Sequence, residues 1–99
     1  MNRDNALSIL RQLRDRLEAR GIVHAAIFGS LARGEAGASS DVDIVVTPGP
    51  DRRLDLIDLG GVQSLLDENF GGVQVDVVVE PIRAPELAVA IQRDRTHAF

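Results

Sequence analysis

The sequence predicts an α/β (α+β) domain, a small mixed β-sheet backed by helices in the order α-β-α-β-α-β-α. Three observations lead there. Apolar residues recur at helical spacing in Ala6, Leu10, Leu13 and Leu17, with arginines and acids between them. Three short runs rich in Val and Ile, at 22–28, 41–46 and 74–80, have the length and composition of buried strands. Glycine and proline fall between these segments rather than within most of them. Strands separated by helical stretches form a sheet whose faces those helices cover.

Taken in order, the first helix spans roughly 3–20 and ends at Gly21. Ile22 to Phe28 is the first strand. Gly29-Ser30-Leu31-Ala32-Arg33-Gly34 is a turn leading into a short helical piece, and 35–40 is a small, polar loop. Asp41-Val42-Asp43-Ile44-Val45-Val46 is the second strand, stopped by Pro48-Gly49-Pro50. The next helix runs over 52–69, with Leu56, Leu59, Val62 or Gln63, and Leu66 to one side. Gly60-Gly61 lies in its middle, where each glycine costs about 1 kcal/mol relative to alanine and invites a break. Gln74 to Glu80 is the third strand, ended by Pro81. Pro85 suits the first turn of a last helix that turns Leu87, Ala88 and Ile91 inward.

At 99 residues the chain reads as one domain, 1–99, able to bury a core without disulfides or metals. A net charge of −4 and the absence of Trp and Tyr argue against a nucleic-acid binder, which needs a basic face or stacking rings. No apolar stretch is long enough to span a bilayer. Without cysteine or an export signal, the expected compartment is the cytoplasm.

The chemistry concentrates in few residues. Asp41 and Asp43 stand two apart at the start of a strand, so their side chains share a face with backbones roughly 6.5–7 Å apart. Asp76 interrupts the valines of the third strand, where an isolated carboxylate is costly unless a cation receives it. If the second and third strands are neighbours, all three acids meet on one face. Such a trio repels itself by about 4 kcal/mol per contacting pair at intermediate dielectric, which protonation or a divalent cation relieves. Oxygen ligands without His or Cys favour magnesium or manganese over zinc. Gly29 lets backbone approach a phosphate, and Ser30 offers a hydroxyl and an amide. Arg33, one turn on, is within reach of a phosphate oxygen, of Glu35 or of a partner protein. His24, in an apolar strand, reads as a hydrogen-bonded core or sheet residue, and His97 lies near a loose terminus.

Gly29-Ser30-Leu31-Ala32-Arg33-Gly34, then Ser40-Asp41-Val42-Asp43-Ile44-Val45-Val46, with Asp76 on a following strand, resembles the signature of the DNA polymerase β-like nucleotidyltransferase superfamily. Within it the chain is similar to the minimal nucleotidyltransferase (MNT) domain proteins, antitoxins paired with HEPN-domain toxins. Some members transfer AMP from ATP onto a tyrosine of the toxin. The resemblance implies that Asp41, Asp43 and Asp76 are catalytic residues holding Mg2+, with Asp76 also helping to activate the acceptor hydroxyl. It implies ATP as nucleotidyl donor, held on the side of Gly29, Ser30, Arg33 and Ser40, and a HEPN toxin as partner in a hetero-oligomer. Two other functions fit the same residues: an antitoxin that neutralises by binding alone, and a transferase acting on a small molecule. The intact acid trio and Gly-Ser turn favour the enzyme, and a domain without room for an acceptor site favours a protein acceptor.

Overall fold

The computed structural model describes residues 1–35 and 41–99. Its elements are α1 (Arg3–Gln12), α2 (Arg14–Ala19), β1 (Ile22–Phe28), α3 (Gly29–Ala32), β2 (Val42–Pro48), α4 (Leu56–Asn69), β3 (Val75–Val79), α5 (Pro85–Asp94) and β4 (Thr96–His97). The four strands form one mixed sheet in the order β3-β2-β1-β4. β2 runs antiparallel to β1 and parallel to β3, and β4 runs antiparallel to β1. The parallel step needs a crossover, which α4 supplies. The mixed sheet with flanking helices is the fold class the sequence predicts.

Strand alternation divides the residues between two faces. Val42, Ile44 and Val46 point to one face, where Ala6, Leu10 and Leu17 of α1 and α2 and Val62, Leu66 and Phe70 of α4 and its cap complete the larger core. Val45 points to the other, against Ala26, Phe28 and Ile91, with Val78, Ile82 and Leu87 packed around them. Thus, among the described helices, α5 lies over the second face, and Ile91 is its buried anchor. Phe70 is fully buried at the end of α4. Phe70→Ala should therefore cost about 3–5 kcal/mol, read as a lower urea midpoint, because the neighbouring rigid elements cannot close the void.

Several elements depart from the sequence reading. The first helix is two: at Leu13, whose N–H reaches the Ile9 and Leu10 carbonyls, the ladder is interrupted before α2 begins. The helix over Gly60-Gly61 does not break. At Gly61 the Arg20 guanidinium occupies the space a Cβ would take, so the glycine admits a close contact instead of ending the helix. Its start is fixed by a capping box, in which Asp55 Oδ1 accepts from the Asp58 amide at 2.8 Å and Asp58 Oδ2 from the Asp55 amide at 3.1 Å. Leu56 does not join the apolar face; it and Ile57 are 86% and 84% exposed.

His24 lies in the sheet, opposite Thr47, but is exposed and not a core residue. Between Ile22 and His24 the register with β2 slips, and this bulge returns Ile22 to the same core as Ala25 and Ile27. Nor is the segment around His97 loose. β4 pairs His97 with Ala26, Ala98 is buried, and its carbonyl accepts from Arg11 Nε at 2.9 Å. The Arg14 guanidinium stands 5.2 Å from the centre of the Phe99 ring, close enough for a cation–π contact.

Candidate active site

The parallel register places Asp43 of β2 directly opposite Asp76 of β3. Neighbouring strands lie about 4.8 Å apart, so two carboxylates rise side by side from one face. It is the face that α5 covers farther along, since Val45 and Val78 follow them by two residues and both pack into the core under that helix. Asp41 precedes β2 by one residue and is exposed. Asp76 is exposed on the edge strand, and its Oδ1 accepts from Gln74 Nε2 at 3.3 Å. The second and third strands are neighbours, the condition on which the sequence made the meeting of the acids depend. The cost expected for burying Asp76 does not arise, because water reaches it.

Asp43 bears the electrostatic load. It is partly buried, and this desolvation pushes its carboxyl above the usual aspartate range, with further raising by the charges of Asp76 and Asp41. The donor set is carboxylate oxygen throughout, the chemistry of a hard cation. Among the described residues, no group of three His, Cys, Asp or Glu side chains could by itself hold a metal ion. Magnesium, however, takes few protein ligands and completes its shell with water and phosphate. Asp41, Asp43 and Asp76 therefore fit a cation shared with a phosphorylated ligand better than a resident structural metal.

The Gly29-Ser30 turn sits against these acids. Phe28, the last residue of β1, is the register partner of Asp43, so the chain leaves the sheet beside it. Gly29 adopts φ 75°, a left-handed conformation, and a Cβ there would collide with Asp43 Oδ2. Glycine is thus needed at this position twice over. Ser30 follows in the first turn of α3, partly exposed, and its carbonyl accepts from the Glu35 amide at 2.9 Å. Leu31 and Ala32 anchor the short helix in the larger core.

Arg33 is committed to carboxylates. Its Nε donates to Glu35 at 3.0 Å and its guanidinium NH1 to Asp94 of α5 at 2.6 Å. Asp94 also accepts two hydrogen bonds from Arg93, at 2.9 and 3.1 Å. Those bonds, then the one from Arg33, hold its carboxyl below the usual range against the opposing effect of burial. Of the residues singled out in the sequence, Gly29, Ser30, Asp41, Asp43 and Asp76 gather at one end of the sheet. Ser40 lies outside the described residues. Asp94 was not foreseen; nothing near it in sequence marks it, because its partner is 61 positions away. Gln74, two residues from Asp76, is a second addition.

A nucleotidyltransferase domain family model matches residues 10–96. A solved structure assigned as a minimal nucleotidyltransferase is 33% identical, with a TM-score of 0.67 over 97% of this chain and 95% of that one. A toxin–antitoxin structure with AMP-PNP is 20% identical, with a TM-score of 0.68 over all of this chain and 73% of that one. A third, of a tri-AMPylated Shewanella oneidensis HEPN toxin in complex with MNT antitoxin, is 17% identical, with a TM-score of 0.64 over 94% of this chain and 71% of that one. The last two, at such low identity, speak for the fold. No curated protein matches the chain in sequence. The acid pair in register and the glycine turn against it lie within the matched span, and the chain belongs to the nucleotidyltransferase domain family.

Proposed function

We propose that the protein is a Mg2+-dependent adenylyltransferase that moves AMP from ATP onto a hydroxyl, a tyrosine's, of a partner HEPN toxin and so acts as its antitoxin. The observation that carries this is the pairing of Asp43 with Asp76 across β2 and β3, with the Gly29-Ser30 turn held against Asp43. The likeness to toxin–antitoxin structures, one with AMP-PNP and one with an AMPylated toxin, supports the donor and the partner.

Each residue has a distinct task in this reading. Asp41, Asp43 and Asp76 would hold the magnesium, which when bound supplies positive charge to the phosphate oxygens as the transfer proceeds. Ser30 would bind the outer phosphates, with Gly29 permitting their approach to the backbone. Ser40 would lie on the same nucleotide side. Asp76, exposed on the edge strand, stands where a hydroxyl of another molecule can reach it. Its carboxylate would take the hydroxyl proton, since a tyrosine is barely ionised at neutral pH. The acceptor oxygen forms a bond to the α-phosphorus, the α–β anhydride bond breaks, and pyrophosphate leaves.

The direct test is the intact mass of the toxin after co-expression with wild type or with Asp41→Asn/Asp43→Asn. A toxin heavier by one or more AMP groups only with wild type is the expected result. An unmodified toxin, bound and neutralised equally by both forms, would instead make the protein an antitoxin by binding alone.

A further inference from the structure

The Gly29-Ser30 turn has little of its own to hold it in place. α3 is four residues long, fixed by Leu31 and Ala32 on the core side. On its outer side, among the described residues, the strongest side-chain tie runs from Arg33 to Asp94. Asp94 ends α5, the helix anchored by Ile91 over the sheet face that carries Asp43 and Asp76. Although Arg33 is more than a third exposed, the Asp94 side chain is only 3% exposed, so the pair is rooted in the packed part of the molecule. Arg93 also hydrogen-bonds both Asp94 oxygens, and the carboxylate is buried, so it has little room to follow Arg33 elsewhere.

We infer that Arg33 and Asp94 form a latch fixing the Gly29-Ser30 turn to α5, and that Arg33 is a positioning residue instead of a phosphate ligand. This rests on the nucleotidyltransferase reading of the site. The charge of Arg33 is already compensated by Glu35 and Asp94, and two of its donors are engaged, which leaves less of it to offer a triphosphate. Turning Arg33 to a phosphate would cost Asp94, a side chain only 3% exposed, its shortest hydrogen bond and leave it Arg93 as its remaining partner among those described. The latch also ties the donor side of the site to the helix covering the acid-bearing face, so a displacement of α5 moves the turn.

Hydrogen exchange on the nucleotide-free protein and AMP-PNP binding with Mg2+ test this together, on wild type, Arg33→Gln, Asp94→Asn and the exchanged pair Arg33→Asp/Asp94→Arg. Both single variants should speed exchange across 29–35 and weaken AMP-PNP by a similar factor. About five-fold is expected, the low end of couplings between sites. Their combination should cost no more than either alone, and the exchanged pair should recover part of the loss. If Asp94→Asn leaves affinity unchanged or tightens it while Arg33→Gln alone weakens it, Arg33 is a phosphate ligand and the latch is wrong. Unchanged exchange across 29–35 in both single variants would also overturn it. A wild type that does not bind AMP-PNP would remove the nucleotidyltransferase reading, and the exchange rates would then decide the latch by themselves.

Discussion

Asp43→Asn should abolish nucleotidyl transfer and at the same time raise the melting temperature of the metal-free protein. The loss of transfer is expected to be on the order of 10²–10³-fold or more, the scale of removing one preorganised electrostatic group from a site where charge develops. The gain in stability follows from the same carboxylate. Burial, then Asp76 and Asp41, raise the Asp43 carboxyl above the usual aspartate range. A carboxyl raised in the folded state binds more protons there than in the unfolded chain, so stability falls as pH climbs from the ordinary aspartate value through the raised one. The full penalty is present at neutral pH, and asparagine removes it. An increase of up to about 5 °C is reasonable for a domain this size. Melting curves without divalent cation should therefore decline with rising pH for wild type and stay flatter for the variant. Magnesium should raise the wild-type curve at neutral pH and leave the variant almost unmoved. A variant that melts lower than wild type at neutral pH would mean that Asp43 contributes a structural contact that outweighs repulsion.

Gly29→Ala should damage the site more than a single methyl group suggests. The backbone at Gly29 lies at φ 75°, where alanine costs about 1–2 kcal/mol. The new Cβ also meets Asp43 Oδ2. Either the turn shifts or the carboxylate does, and a displacement of about 1 Å in a reacting group commonly costs roughly 10²-fold. The expected phenotype is a melting temperature lower by roughly 4–16 °C with transfer reduced on that scale. Steady-state rates beside a thermal scan check both halves. Full activity in a destabilised variant would show that Asp43 finds its place without this glycine.

Much of the arrangement was legible because each signal was local. β1 runs from Ile22 to Phe28 as expected, α5 begins at Pro85, and Asp76 marks its strand by breaking a run of valines. Asp43 and Asp76 come into register because β2 and β3 are neighbours, a condition the sequence left open, and the helix between them allows their parallel pairing. What sequence did not disclose depends on distant residues or on single-residue slips. The bulge at Val23 leaves that valine exposed and returns Ile22 to the face of Ala25 and Ile27, and no alternation pattern survives a slip of one. β4 is two residues long, too short for any period. The interruption at Leu13 leaves the apolar spacing of Leu10, Leu13 and Leu17 intact, so nothing in the pattern announces it. Leu56 and Leu59 belong to the same helical stripe on paper, yet the first turn of α4 projects beyond the core. Arg33 offered a phosphate, Glu35 or a partner protein as its contact, whereas its shortest one is to Asp94 near the other end of the chain.

The crossover through α4 has a consequence for the chain as it is made. Gly29, Ser30, Asp41 and Asp43 all precede that helix, and Asp76 follows it. A nascent chain that has emerged only as far as α4 carries the glycine turn and two acids but no edge strand to complete them. Joining β3 to β2 closes a long loop, so its entropy must be met before the pairing is formed. On the proposed reading the chemistry is thus withheld until β3 has docked, and a fragment that ends before β3 lacks the third acid.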